Sequence, residues 1–230
     1  VTAAGGTMNY TYAWSNTSTT ASISGLTAGK YLVSVTDANG CMTMDSVTIT
    51  EPGVLTSNIT ASTNVLCNGA STGSATVTAS GGTMAYSYLW SDGQTTATAT
   101  GLAAGMYTVV TTDANGCTST ATVTLTEPIA LTSTTVELVQ ASCSGNNTGE
   151  GAILPTGGTM PYTYVWDANA GNATTDTILN LTAGRFFVTV TDANGCTQRD
   201  SVDITSPSGL FTSTNVISNV NCNGGSDGKI

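Results

Sequence analysis

The chain has 230 residues, only 8% of them charged, and a formal net charge of −10. Its four basic residues, Lys30, Arg185, Arg199 and Lys229, are too few and too scattered to neutralise a nucleic-acid backbone or to hold an anionic membrane. No apolar run reaches the roughly 18 residues of a spanning helix, and the lack of histidine removes Ser-His-Asp and Cys-His nucleophiles and most metal-ligand patterns.

The first clear element is Gly5-Gly6-Thr7-Met8, followed by Tyr10, Tyr12 and Trp14. It returns as Gly81-Gly82-Thr83-Met84 with Tyr86, Tyr88 and Trp90, and as Gly157-Gly158-Thr159-Met160 with Tyr162, Tyr164 and Trp166. A second block, Thr-Asp-Ala-Asn-Gly-Cys, ends at Cys41, Cys117 and Cys196, so the steps are 76 and 79 residues and the third copy carries three extra. Self-similarity on this scale predicts an array of like modules. The expected divisions are 1–52, a repeat lacking its first strand; 53–128 and 129–207, two full repeats; and 208–230, the start of another. Val1 aligns with Val77 and Ile230 with Ala75, which reads as a slice from a longer array. An array of this kind suits a spacer or a set of binding modules better than a catalyst.

Within the second copy, Leu55 to Val65 alternates loosely as a strand, and residues 68–73 form a loop of turn formers. Ser74 to Ala79 is a predicted strand, broken by Gly81-Gly82. Tyr86 to Trp90 is a strand with its large rings on one face, since side chains alternate with period two. Thr95 to Thr100 is a short strand, residues 101–105 a corner, and Tyr107 to Thr112 another strand. Asp113-Ala114-Asn115-Gly116 is a hairpin turn, and Cys117 to Thr126 the last strand. Thr and Val favour strands. Six or seven short strands with regular turns and no helical period predict an all-β fold: a tandem array of small immunoglobulin-like antiparallel β-sandwiches.

The expected core holds Trp14, Trp90 and Trp166, with Tyr31, Tyr107 and Phe186 at a corner of the form Gly/Asn-Leu-x-x-Gly-x-Tyr/Phe. That corner matches a tyrosine corner, whose hydroxyl bonds back to the chain. Phe186 lacks the hydroxyl, so it is expected to fill the same pocket without that bond.

Cys41, Cys67, Cys117, Cys143, Cys196 and Cys222 recur at fixed places, which predicts disulfides and an oxidising compartment outside the cytosol. Six cysteines allow 15 connectivities. One regular scheme pairs Cys67 with Cys117 and Cys143 with Cys196, inside single repeats. The favoured one pairs Cys41–Cys67, Cys117–Cys143 and Cys196–Cys222, each 26 apart, with a hairpin of 117–126 and 131–142 about Glu127-Pro128 as the route for the middle pair.

Asp37, Asp113 and Asp192 recur once per repeat, chiefly as turn residues. They are also weak candidates for Ca²⁺ ligands beside Glu51 or Glu127, although six or more oxygens are needed. No phosphate-binding loop and no carboxylate pair suited to glycoside hydrolysis is visible. No enzyme active site and no cofactor are expected.

Taken together, Cys-Asn-Gly-x-x-x-Gly, Gly-Gly-Thr-x-x-Tyr-x-Tyr-x-Trp-Ser, Leu-x-x-Gly-x-Tyr-x-Val and Thr-Asp-Ala-Asn-Gly-Cys resemble the SprB repeat over nearly the whole chain. Pro161-Tyr162-Thr163-Tyr164 fits most closely, while Asn9 and Ala85 replace the usual Pro. The resemblance implies a very large adhesive protein of gliding and related Bacteroidota, exported by type IX secretion and displayed at the outer surface. It implies a disulfide-stiffened stalk or filament, whose partners are surface polysaccharide or other extracellular ligands, with edge strands open to self-association into fibres. It also implies O-glycans on Asp-Ser/Thr-apolar motifs, which makes Ser46, Thr177 and Ser201 candidate carriers. The competing readings are a carbohydrate- or Ca²⁺-binding module of a secreted protein, marked by an exposed Trp90 or a metal at Asp113, and an accessory region of a secreted enzyme.

Overall fold

The computed structural model describes residues 1–143, 145–208, 212, 213, 215, 217–220, 223–226 and 228. It is all-β apart from one 3₁₀ turn among these residues. Two compact units are present. One comprises Val1–Ile59, Val77–Ala97 and Thr108–Ala121; the other comprises Thr60–Thr76, Thr98–Tyr107 and Thr122–Ile230.

In the first unit, the first repeat forms a three-stranded sheet of β1 (Thr11–Trp14), β2 (Gly29–Thr36) and β3 (Met42–Ile49), in that order. Trp14, Val33 and Val35 make its small core. The second repeat supplies β4 (Thr56–Thr63), β5 (Gly73–Ser80), β6 (Ser87–Trp90), β7 (Thr98–Leu102), β8 (Gly105–Thr112) and β9 (Thr118–Leu125). These pair as β4–β5–β7 and β6–β8–β9. Strand β7 runs through Gly101-Leu102, which the sequence places in a corner.

The third repeat lies wholly in the second unit. Its strands are β10 (Thr132–Val139), β11 (Gly149–Thr156), β12 (Thr163–Trp166), β13 (Thr177–Leu181), β14 (Gly184–Thr191) and β15 (Thr197–Ile204). One sheet is ordered β10–β11–β13 and the other β12–β14–β15. In immunoglobulin terms these are strands A, B and E against C, F and G, with Trp166 on strand C. The ring of Phe186 starts strand F, at the corner position. Trp166, Ile153, Phe186, Val188, Val190, Val202 and Ile204 share one core between the sheets.

Glycines set how closely those sheets approach. A Cβ at Gly149 would lie 2.5 Å from Ile204 Cγ2, and one at Gly151 would lie 3.0 Å from Val202 Cγ1. Any larger residue on this part of β11 would push β15 away. The three extra residues of the third copy fall between Trp166 and Ala173, as the 3₁₀ turn Ala168–Ala170. Asp167 caps that turn by accepting from the Ala170 N–H, and Gly171 ends it at φ 69°. The insertion is therefore absorbed in a loop and leaves the strands unchanged.

No hairpin forms across Glu127-Pro128. Strand β9 pairs with β8, and β10 pairs with β11.

Candidate functional site

The Asp-Ala-Asn-Gly-Cys turn is built the same way three times. In the third repeat, Asp192 Oδ1 accepts the N–H groups of Asn194 and Cys196, both at 2.9 Å, and Oδ2 accepts that of Thr159 at 2.8 Å. Asp113 holds Asn115, Cys117 and Thr83 at 2.8–2.9 Å, and Asp37 holds Asn39, Cys41 and Thr7 at 2.8–3.0 Å. The carboxylate thus ties the F–G hairpin turn to the Gly-Gly-Thr segment. The second glycine of that segment makes room for it: a Cβ at Gly158 would lie 2.8 Å from Asp192 Oδ2.

These bonds hold the carboxyls below the ordinary Asp range. The Thr7 N–H does most for Asp37 and the Thr83 N–H most for Asp113. At Asp192 burial pushes the other way, and the N–H groups of Thr159, Cys196, Asn194 and Gly195 together outweigh it. In each repeat three backbone amides thus donate to the Asp carboxylate proposed from sequence as a Ca²⁺ ligand. Glu127, the suggested co-ligand, instead accepts from the Gly69 N–H at 2.6 Å. Among the described residues no three His, Cys, Asp or Glu side chains gather closely enough to hold a metal ion.

The second element of the site is the loop after the first strand. In the second repeat Val65 N–H donates to Thr126 O at 2.9 Å, and Leu66 N–H to Thr72 Oγ1 at 2.9 Å. Asn68 Nδ2 donates to Pro128 O at 3.0 Å. The loop is thereby fixed beside the Glu127-Pro128 link.

Cys67 in this loop is bonded to Cys196 in the turn of the following repeat, with 5.6 Å between their Cα atoms and 129 residues between them in sequence. Asn194 Nδ2 reinforces the junction by donating to Leu66 O at 3.0 Å. Both cysteine schemes drawn from the sequence are overturned. Cys67 pairs with neither Cys41 nor Cys117, and Cys196 with neither Cys143 nor Cys222; Cys41, Cys117 and Cys143 are free and exposed. Cys222 lies outside the described residues.

The reason is that each repeat carries its two cysteines at opposite ends. In the third repeat Ala141 N–H bonds Thr205 O just past one end of β15, while Cys196 sits just before the other. Eight residues of strand put roughly 23 Å between those ends, far beyond the reach of about 4.4–6.8 Å that a disulfide tolerates. The missing hairpin at Glu127-Pro128 likewise removes the geometry required for Cys117–Cys143.

The aromatic positions are resolved too. Trp14, Trp90 and Trp166 are 8%, 2% and 1% exposed, and each indole N–H donates at 2.9 Å to a backbone carbonyl: Thr20, Thr96 and Thr175. Both tyrosines of each Tyr-x-Tyr pair are half-buried. Tyr10 and Tyr86 donate to Gly5 O and Gly81 O at 2.6 Å, and Tyr162 to Gly157 O. Sequence reasoning missed this bond, although the constant five-residue spacing was its signal. Tyr31 and Tyr107 donate to Thr27 O at 3.0 Å and Ala103 O at 3.2 Å. Phe186 takes the corresponding place without a hydroxyl, its ring 3.9 Å from a Cβ built on Gly184, against 4.0 Å for Tyr107 and Gly105. Ser46 is exposed, while Thr177 and Ser201 are half-buried beside Asp176 and Asp200.

The family model of the SprB repeat matches residues 59–95 and 135–171. Two segments of this chain are similar to the SprB repeat. The matches run from β4 and β10 through Trp90 and Trp166, and so contain the Cys67 and Cys143 loops. SprB repeats are found in cell-surface proteins. None of the curated proteins compared matches the chain.

Among solved structures, the chain is similar to the N-terminal eight Ig domains of Down Syndrome Cell Adhesion Molecule, at 11% identity and a TM-score of 0.39, over 86% of this chain and 32% of that one. Sidekick-1 immunoglobulin domains 1–4 show 14% identity and a TM-score of 0.31, over 79% and 59%. The SGBP-B protein of Bacteroides ovatus, solved with a mixed-linkage heptasaccharide, shows 16% and 0.22, over 86% and 60%. The chain therefore spans about a third to three-fifths of the length of these structures. The immunoglobulin assignment stands on strand order and on the core tryptophan.

Proposed function

We propose that these repeats form part of an adhesive stalk on a cell exterior, in which consecutive sandwiches are stapled end to end, and that they are not catalytic. One observation carries the reading: the Cys67–Cys196 bond crosses a repeat junction instead of closing a single repeat. A bond inside a sandwich would stabilise that sandwich alone. A bond across the junction limits bending between sandwiches, which is what reach and stiffness require. The units of the stalk are taken as 53–128 and 129–207, with 1–52 and 208–230 as parts of neighbouring units.

Export by type IX secretion, a part in gliding, and glycans on Ser46, Thr177 and Ser201 follow from the SprB repeat as finer proposals. Grip on surface polysaccharide or another extracellular ligand would come from many weak contacts acting together. The buried Trp90, and an Asp113 carboxylate that accepts three backbone N–H groups, support the stalk reading over a carbohydrate- or Ca²⁺-binding module.

Beads carrying the oxidised full chain, run over polysaccharide-coated glass under flow, provide the test. Oxidised chains should hold the beads at several-fold higher flow than chains reduced and alkylated. Equal detachment in the two states would overturn the stapled-stalk reading.

A further inference from the structure

All six methionines of the chain are exposed, Met42 least at 62% and Met84 most at 81%. We propose that they are oxidant-accepting sites: each thioether takes one oxygen atom from a hypohalous acid, and the sandwiches keep their fold and the Cys67–Cys196 bond while this happens. The proposal goes beyond the stalk reading and does not rest on it.

The first observation is how cleanly methionine is sorted. It ranks with leucine and valine among the side chains most often found inside a protein. Here leucine stands on both sides, buried at Leu102, Leu125 and Leu181 and exposed at Leu32, Leu89 and Leu179. Methionine stands only outside, and none packs against the clusters around Trp14 and Trp166. Met84, Met106 and Met160 show this in the second and third repeats, where both sheets of the sandwich are present.

The second observation is what stands at the same places in other repeats. Met42 and Met44 are the first and third residues of β3; Thr118 and Thr120 hold those places in β9, and Thr197 and Arg199 in β15. Met106 is the second residue of β8, where β2 has Lys30 and β14 has Arg185. These places accept polar and charged groups, so a polar sulfoxide fits them without repacking, whereas a sulfoxide formed in a core disrupts it. Met8, Met84 and Met160 recur after each Gly-Gly-Thr, 75–81% exposed. Burial does not account for a thioether kept three times in such a place; access to a dissolved oxidant does. Trp14, Trp90 and Trp166 are buried, so an oxidant arriving from solvent meets sulfur before indole.

With hypochlorous acid the sulfur lone pair displaces hydroxide from chlorine and forms an S–Cl bond. Water then adds at sulfur, the S–Cl bond breaks, chloride leaves, and two protons are lost, one of them to the hydroxide. Sulfur loses two electrons and chlorine gains them. One thioether and one hypochlorous acid thus give one sulfoxide, one chloride and one proton, and a sulfoxide reductase can restore the thioether.

The test uses the full chain with Cys41→Ser, Cys117→Ser, Cys143→Ser and Cys222→Ser, which leaves the thioethers and the Cys67–Cys196 bond as its sulfur. Hypochlorous acid is added in steps up to one equivalent per methionine, and non-reduced digests are mapped by mass spectrometry. All six methionine peptides should gain one oxygen, while the disulfide and tryptophan peptides and the urea unfolding midpoint stay unchanged. A second protein adds Met8→Leu, Met42→Leu, Met44→Leu, Met84→Leu, Met106→Leu and Met160→Leu, a swap of similar volume at exposed places. At the same dose it should lose intact disulfide and tryptophan peptides several-fold faster. Methionines that stay unoxidised, a lowered midpoint in the oxidised chain, or equal loss of those peptides in the two proteins would overturn the proposal. The Cys67–Cys196 peptide in the untreated digest reports separately on the stalk reading.

Discussion

Asn194 reaches across 128 residues to hand an amide hydrogen to Leu66 O, next to the Cys67–Cys196 bond. One side chain thus orients the cysteine turn and docks it on the neighbouring repeat. Asn194→Ala should lower the equilibrium constant for Cys67–Cys196 formation in glutathione buffers by roughly two- to tenfold, in keeping with an exposed hydrogen bond of about 0.5–1.5 kcal/mol. Asn115→Ala, which loses only the bond to Thr83, should leave that constant unchanged. Equal effects of the two substitutions would mean that the junction bond contributes nothing.

Mechanical unfolding should show the staple directly. In the oxidised chain the 129-residue span from Cys67 to Cys196 cannot lengthen. Reduction frees about 440 Å of contour, at roughly 3.4 Å per residue. Single-molecule stretching of the full chain with and without reductant measures this. Cys196→Ser should match the reduced trace, and Cys117→Ser the oxidised one.

The corner aromatics should differ sharply in what they contribute. Tyr107→Phe removes one hydroxyl bond to Ala103 O and should cost less than about 1 kcal/mol. Phe186 is 4% exposed within the third-repeat core, so Phe186→Ala should cost about 3–5 kcal/mol. Urea unfolding followed by tryptophan fluorescence separates the two.

Acid should loosen the turns in a defined direction. The folded-state pKa values of Asp37, Asp113 and Asp192 lie below the ordinary value. Their contribution is therefore fully present above about pH 4, the unfolded value, and is lost as pH falls through the depressed folded values. Asp192→Asn should flatten the drop in stability between pH 5 and pH 2 while lowering the plateau. Parallel titrations of unfolding midpoint for the two proteins decide it.

Much of this was legible in one period of sequence. Thr and Val alternation marks the strands, Asn-Gly the hairpin turn, and an isolated Trp per repeat the core. The cysteine pairing was not legible, because Glu127-Pro128 fits either a reversal or a continuation of the chain. Only the partners of β9 and β10 distinguish them. The aspartate was recognised as a turn residue, but its third bond, to Thr159, joins residues 33 apart and leaves no local trace. The Gly-Gly pair likewise read as a strand breaker, when its second member clears space for that carboxylate.

A joint crossed by a single backbone link can swivel, because one covalent thread resists pulling but not twist. At the junction of the second and third repeats there are two crossings, the backbone through Glu127-Pro128 and the sulfur bridge beside it. Two separated pins turn a swivel into a coupling, so rotation applied to one sandwich is passed to the next as torque.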